Sequence, residues 1–377
     1  MAISGVAFSG AALICKAGAF VAPFPRTSLA AMIPLSVLDL SVVTTGTRPA
    51  AALRNSIDLA RHVDELGYVR YWLAEHHNLA SVASPAPDLM IGQIAAVTKN
   101  IRVGSGGVML PNHAPLVVAE RFKMLEALFP GRIDLGLGRA PGTDQVTSLA
   151  LRRRQDTSSE QDDFLDRFQE MILFESKGFP ENHPFSKVAA MPTDVPLPPI
   201  WLLGSSGYSA ELAAHVGVGF SFAHHFSDFP PEGPMLNYRN QFKPSAWRQS
   251  PYAILGVAAI VADSEAEAEA LASSADLHFA RRAKGEYGPL ASPDEAAAYP
   301  YVPIDRQRIE HNRRRLIVGS AEQARERIQA LADATKADEV MITTMVFDHA
   351  ARKRSYQLLA QSFTLQGTKT AAAASTR

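Results

Sequence analysis

Three consecutive residues, Glu75, His76 and His77, concentrate the chain's most versatile chemistry. A carboxylate beside two imidazoles can hold or move protons near neutral pH. They follow an aromatic and β-branched run, 69–74, that reads as a strand, so they fall at its carboxyl end. In parallel α/β folds that end is where ligands and catalysis gather. The plain alternative is polar capping of a surface strand. Metal binding by His76-His77 or by a second doublet, His224-His225, is disfavoured. Adjacent strand residues point to opposite faces, and no carboxylate partner stands at ligand spacing. We expect no metal.

Two further stretches could grip an anion. Residues 204–209, Gly-Ser-Ser-Gly-Tyr-Ser, lead into a helix, whose free N–H groups and dipole favour a phosphate. Ordinary N-capping by Ser206 or Ser209 explains the same residues without a ligand. Arg139 follows an apolar strand; its fork could hold a phosphate dianion, or make a surface salt bridge. A third stretch, Gly104-Ser105-Gly106-Gly107, leaves room for a planar ring, though a tapered barrel interior also wants small residues. Phosphate grip, flat platform and polar histidine together point to a flavin mononucleotide. Gly136 to Gly142 imitates a dinucleotide fingerprint, but the spacing is off by one, Pro141 disturbs the turn, and the unit is fourth in the series.

The elements that must position these groups alternate. Strand starts fall at Ile33, Val69, Ile101, Arg132, Pro199, Val218, Tyr252 and Glu339, nearly all followed by a helix. Leu53, Ile57, Ala60 and Val63 recur at helical spacing, with Pro49 opening and Gly67 closing that helix. Ser320 and Gln323 stand in capping-box register. Eight such units predict a (β/α)8 TIM barrel rather than an open sheet. Residues 176–199 and 285–315 read as long irregular excursions, the first with room for a small hairpin.

Composition sets the outer limits. Of 377 residues, 47% are hydrophobic, enough for a sizeable core. Thirty-seven basic residues against 38 acidic ones leave no basic field for nucleic acid or an anionic membrane. One cysteine, Cys15, excludes a disulfide scaffold and fits a reducing cytoplasm. Residues 1–31 lack the charge order of a secretory signal. Met32 precedes a good strand, so we expect it to be the working start and 1–31 to be a non-native or disordered extension. The barrel domain is then 32–363, and 364–377 reads as a disordered tail.

Residues 33–363 resemble the bacterial luciferase-like flavin monooxygenases, specifically the single-chain luciferase-family oxidoreductase group. The likeness rests on Trp72-Leu73-Ala74-Glu75-His76-His77, on the run from Val103 to Pro111, on Pro130-Gly131-Arg132-Ile133-Asp134-Leu135-Gly136, and on 204–209. It implies a barrel that binds reduced FMN (FMNH2), which reacts with O2 to a flavin C4a-peroxide. His76 would then be catalytic, aiding the oxygen chemistry. Ser105 and a non-proline cis peptide at Gly106-Gly107 would support the ring, and Arg139, Ser205, Ser206 and Ser209 would contact the phosphate. Ala223 and His224 would lie near the ring. Where luciferase has a cysteine facing the reactive carbon, this chain has Gly138, which argues against light emission.

The resemblance also implies a mobile insertion after the seventh strand, 264–315, closing over the mouth. A separate NAD(P)H:flavin reductase would be the partner and a homodimer the assembly. The expected activity is a two-component FMN-dependent monooxygenase acting on a small organic substrate. The alternatives are an F420-dependent oxidoreductase and a non-catalytic flavin-binding relative.

Overall fold

The computed structural model describes residues 32–152 and 163–367. The expected extension 1–31 therefore lies outside the described residues. In chain order the first half runs β1 (Leu35–Asp39), α1 (Pro49–Leu66), β2 (Arg70–Leu73), α2 (Pro87–Val97), β3 (Arg102–Ser105), β4 (Val108–Met109), α3 (Pro115–Leu128), β5 (Ile133–Gly138), α4 (Gln145–Arg152) and α5 (Phe164–Ser176). The second half runs β6 (Ile200–Gly204), α6 (Gly207–Val216), β7 (Gly219–Phe222), α7 (Glu232–Gln241), β8 (Ala253–Ala262), α8 (Glu265–Arg282), α9 (Pro293–Ala298), α10 (Pro303–Arg313), β9 (Leu316–Ser320), α11 (Ala321–Thr335), β10 (Glu339–Thr343) and α12 (His349–Ser362).

Eight of the strands close on themselves in the order β1, β2, β3, β5, β6, β7, β8, β10, every pair parallel, with β10 returning to β1. This is the expected (β/α)8 barrel, and each barrel strand begins within two residues of its predicted start. The local signals hold as well. Gly67 ends α1 in the left-handed region at φ 89°, and Ser320 and Gln323 form a reciprocal capping box on α11.

Two strands lie outside the eight. β4 re-pairs with the upper end of β5, Val108 opposite Leu137 and Met109 opposite Gly138, after the Gly106-Gly107 peptide, which is cis. β9 pairs with the upper half of the ten-residue β8, Leu316 opposite Ala258 and Ser320 opposite Ala262. That overhang forms the base of the insertion. Its 285–315 segment, read from sequence as irregular, contains α9 and α10. Residues 176–199 hold no strand, so the hairpin is not there. At the carboxyl terminus, Leu365 packs against the core and Gly367 is buried beside α1, so 364–367 do not belong to a disordered tail. The rest of the expected tail lies outside the described residues.

Side-chain alternation sorts the strands into an outer face against the helices and an inner face within the barrel. Leu35, Val37, Tyr71, Leu73, Val103 and Ile133 join the large outer core. Inside, the layers differ in chemistry. At the amino-terminal end of the strands Arg70 and Arg102 pair with Asp134 at 2.7 and 2.6 Å, and Arg70 also meets Glu339 at 3.0 Å. Above these charges Trp72 and Trp201 meet edge to face at 5.4 Å, and Trp201 meets Tyr252 at 5.6 Å. The lower end is thus filled, which leaves the carboxyl end as the working face.

Candidate active site

The Glu75-His76-His77 trio does not act as one group. Glu75 is buried and turned into the wall, where its carboxylate accepts the Met109 N–H at 2.9 Å and the Asn112 amide at 3.2 Å. His77 and His113 point Nε2 at the same carboxylate from 2.8 and 3.0 Å. Burial opposes ionisation of Glu75, but these hydrogen bonds outweigh it and hold the carboxyl below its usual range. Thr143 Oγ1 donates to the His77 carbonyl at 2.8 Å and the His77 N–H to Gly142 O at 3.2 Å. Glu75 and His77 therefore fix the loops after β2 and β5.

His76 faces the other way. Its Nδ1 is buried and has no hydrogen-bond partner among the described residues. Burial first, and the nearby Arg282 guanidinium second, push its pKa down to about 4. His225, which follows β7, is close enough to interact electrostatically with His76; burial takes it to about 4 also. The His225 ring lies on Gly256, where a Cβ would sit 2.9 Å from Nδ1. Burial also lowers the pKa of His224, and Nδ1 is unpartnered in both His224 and His225 among the described residues. Three neutral imidazoles, each with an orphaned ring nitrogen, thus gather at the mouth. Buried polar atoms are normally paired, so the set is shaped for a polar ligand.

On the arc of the barrel between β2 and β7, Arg139 at the end of β5 lies over the Tyr208 ring, 4.5 Å from its centre. Tyr208 is in the first turn of α6, so Arg139 and the 204–209 loop come together. Ser206 is the N-cap of α6, yet its hydroxyl makes no capping bond. Ordinary capping therefore does not account for it. Ser209 packs over Gly204, where a Cβ would fall 2.6 Å from its Oγ. The loop is tied to the next one by Ser227 Oγ, which donates to Ser205 O at 2.7 Å, and Ala223 N–H donates to Gly204 O at 2.9 Å.

The glycine platform needs a different account. A Cβ at Gly104 would lie 2.7 Å from Asp134 and 2.8 Å from the Trp72 indole nitrogen. At Gly106 it would lie 2.7 Å from Leu38 and 3.2 Å from Trp72. Of the two readings, interior packing explains these glycines: they clear space for Trp72. Ser105 is fully buried, its hydroxyl donating to Gly136 O at 2.8 Å and accepting the Gly136 N–H at 3.0 Å. It joins β3 to β5 and presents no free hydroxyl to the mouth. Gly138, at the upper end of β5, has the Met109 sulfur where its Cβ would be, 2.7 Å away.

The insertion lies against this rim. Leu290 N–H donates to Val43 O at 2.8 Å, and Thr45 hydrogen-bonds Glu295 beside the loop after β1. His311 and Arg315 reach Asp228 beyond β7 at 3.1 and 2.8 Å. His278 on α8 is pushed by burial, then by Arg282, to about 4. Sequence reasoning placed His225 at a strand end without giving it a site role, and missed His278 and Arg282. The histidine doublet and the four-residue spacing of 278 and 282 on one helix face were the available signals.

Among the described residues no three His, Cys, Asp or Glu side chains are grouped to hold a metal ion, and no helix is long and apolar enough to cross a membrane.

A closed parallel barrel with its polar groups at the carboxyl mouth defines a TIM-barrel enzyme whose chemistry sits on the loops after the strands. Residues 33–337 match the family model for luciferase-like monooxygenases, and the chain belongs to that family. It is 42% identical over 326 residues to a luciferase-like monooxygenase of Escherichia coli strain K12, covering 86% of this chain and 96% of that one. It is 33% identical over 332 residues to the N-acetyl-S-alkylcysteine monooxygenase of Bacillus subtilis strain 168, covering 88% and 98%. Among solved structures, apo-MsnO8 aligns with a TM-score of 0.80 at 38% identity, covering 89% of this chain and 99% of the other. The protein is accordingly an oxidoreductase of the monooxygenase type.

Proposed function

We propose that this enzyme oxygenates a small organic substrate with O2 and reduced FMN, the flavin being delivered by a separate NAD(P)H:flavin reductase. The observation that carries this reading is the pairing, at one mouth, of an arginine against the start of α6 with three neutral imidazoles whose Nδ1 atoms lack partners. Arg139, Ser205, Ser206 and Ser209 fit a phosphate, which a guanidinium and a helix start both favour. Gly106 and Gly107 would support the ring through their backbone, with Ala223 and His224 along its edge. Bound reduced flavin supplies the electrons that activate O2. His76 contributes a neutral hydrogen-bonding nitrogen at the reacting centre. Helices α8 to α10 cover the site and exclude water, which protects a reactive oxygen species from hydrolysis.

A homodimer completes the proposal. Leu89 on α2 and Met124 and Leu128 on α3 are 71%, 57% and 67% exposed. Val117, Met124 and Leu128 recur at helical spacing, and Arg121 pairs with Asp88 across the two helices at 3.0 Å. An apolar two-helix face of this kind fits a second copy of itself.

The test compares wild type with His76→Ala and His76→Gln. Flavin binding is titrated by absorbance with FMN and with F420, and oxygen uptake is measured with FMNH2 over a panel of thioethers, aldehydes and aromatic amines. The expected result is FMN binding retained in all three proteins, with substrate-dependent uptake at least ~100-fold lower in the alanine variant. Preference for F420 in the wild type, or full turnover by His76→Ala, would overturn the reading.

A further inference from the structure

The insertion holds the loop that carries the second histidine doublet. Arg315 stands between α10 and β9, where the insertion rejoins the barrel, and its side chain is 16% exposed. Its Nη1 donates twice, to Phe226 O at 2.7 Å and to Asp228 Oδ1 at 2.8 Å. The Arg315 N–H donates to Asn312 O at 3.0 Å, and the buried Asn312 side chain offers Oδ1 to Nη2 at 3.4 Å. Phe226 follows His225 directly, and the two rings meet edge to face at 4.8 Å. Phe226 is 58% exposed, so burial does not fix this part of the loop. Upstream the His225 N–H donates to Gly256 O at 3.0 Å, and downstream Ser227 Oγ donates to Ser205 O at 2.7 Å. Between these two ties, and among the described residues, the Arg315 guanidinium is the one donor to the Phe226 carbonyl.

The two acceptors differ in weight. The Asp228 side chain is 73% exposed, and an ion pair in solvent contributes little. The bond to the carbonyl is charge-assisted and acts on the backbone itself, one residue from His225. We infer that Arg315 is a positioning residue for the oxygenation: it anchors the Phe226 carbonyl and so holds the His225 ring against Gly256 at the mouth. The inference rests on the mouth being the oxygenation site. Arg315 acts there through His225 and touches neither flavin nor substrate.

The experiment uses the full chain with isotope-labelled histidine, with and without FMN, and the variants Arg315→Ala, Arg315→Met, Arg315→Lys and Asp228→Ala. Histidine ring signals are read by NMR, His225 being assigned with His225→Gln. FMN affinity is followed by fluorescence, and oxygen uptake is measured with FMNH2 over the panel of thioethers, aldehydes and aromatic amines. Arg315→Ala and Arg315→Met should shift or broaden the His225 ring signals and leave those of His62 on α1 and His349 on α12 in place. They should lower kcat at least about tenfold while FMN affinity stays within about threefold. Arg315→Lys keeps a donor and should restore the signals and most of the rate; Asp228→Ala should leave both within about twofold of wild type. Unmoved His225 signals in the alanine and methionine variants, an equal disturbance in Asp228→Ala, or no restoration by lysine overturns the assignment. So does displacement of every histidine signal alike, which would make Arg315 a determinant of the fold. Should Arg315→Ala not fold, Arg315→Met, which retains the aliphatic stem, decides. Should the wild type fail to bind FMN, the flavin reading falls, while the ring signals of the flavin-free protein still decide the role of Arg315.

Discussion

Replacing Asp134 with Asn should destabilise the barrel more than any surface change. Asp134 is fully buried and receives Arg70 Nη1 at 2.7 Å and Arg102 Nη2 at 2.6 Å, with the indole nitrogens of Trp72 and Trp201 each at 3.3 Å. Burial disfavours its charge, but Arg102 and Arg70 overcome that and hold the carboxyl well below the ordinary carboxylate range. The amide keeps the shape but removes the charge and turns one of the two acceptor oxygens into a donor, so Arg102 keeps its backbone carbonyls and Arg70 keeps Glu339 while the pair loses its buried anion. Breaking a buried pair from one side costs about 3–5 kcal/mol. Unfolding entropy of about 2 cal/mol/K per residue makes that a fall of roughly 4–7 °C in Tm for a chain this size. The pH dependence gives an independent check. A carboxyl depressed in the folded state stabilises above its unfolded value of 3.8, and that stability is lost as pH falls below it. The gap between wild type and variant should be widest near pH 7 and narrow below about pH 4. Calorimetric melting at several pH values measures both. A gap under 1 °C at pH 7, or one that stays constant into acid, refutes the reasoning.

Two further outcomes test the proposed site and assembly. Arg139→Ala should weaken FMN binding by about 10- to 100-fold in a fluorescence titration, since a charge-assisted hydrogen bond contributes about 1.5–3 kcal/mol; unchanged affinity would remove Arg139 from the phosphate. The double variant Met124→Asp with Leu128→Asp should sediment as a folded monomer while the wild type sediments as a dimer, and a dimeric variant would place the interface elsewhere.

The barrel strands were legible because each is a short apolar run followed by a helix with recognisable ends. Pro49 and Gly67 around α1 and the Ser320 cap on α11 are local signals that need no tertiary context. β9 was not legible for the converse reason. Its Gly319 and terminal Ser320 read as the entry to a helix, and among the described residues it pairs with the overhang of β8 alone. α9 is six residues long and α10 strongly polar, so neither shows an apolar stripe. The glycine run shows a deeper limit. Room for a flat ligand and room for an indole leave the same mark in sequence, and only the position of Trp72 beside Gly104 and Gly106 separates them. The role of Arg315 is hidden in the same way, because it depends on where the insertion meets the loop after β7.

The imidazoles at that mouth make a prediction that separates them from the charge layer below. His76, His225 and His278 each titrate near 4 in the folded chain, chiefly because burial penalises the charged ring. Unfolded, each returns to an ordinary value of 6.5. A base with a depressed folded pKa contributes stability that is complete above 6.5 and is lost as pH falls toward 4, because the unfolded chain takes up the protons first. Thermal melting should therefore fall between pH 6.5 and 4, before Asp134 begins to matter. Substituting Gln at the three positions should make the fall across that window shallower, with His224 and His62 still contributing, and leave the decline below pH 4 intact. The same neutrality fixes what the histidines can do at pH 7: they hydrogen-bond without adding charge, so the field they sit in comes from neighbouring arginines and carboxylates, Arg282 and Glu75 for His76 and Arg315 and Glu232 for His224. A ring proton of His76 titrating near 6.5 by NMR, or a melting curve flat from pH 6.5 to 4, would contradict both points together.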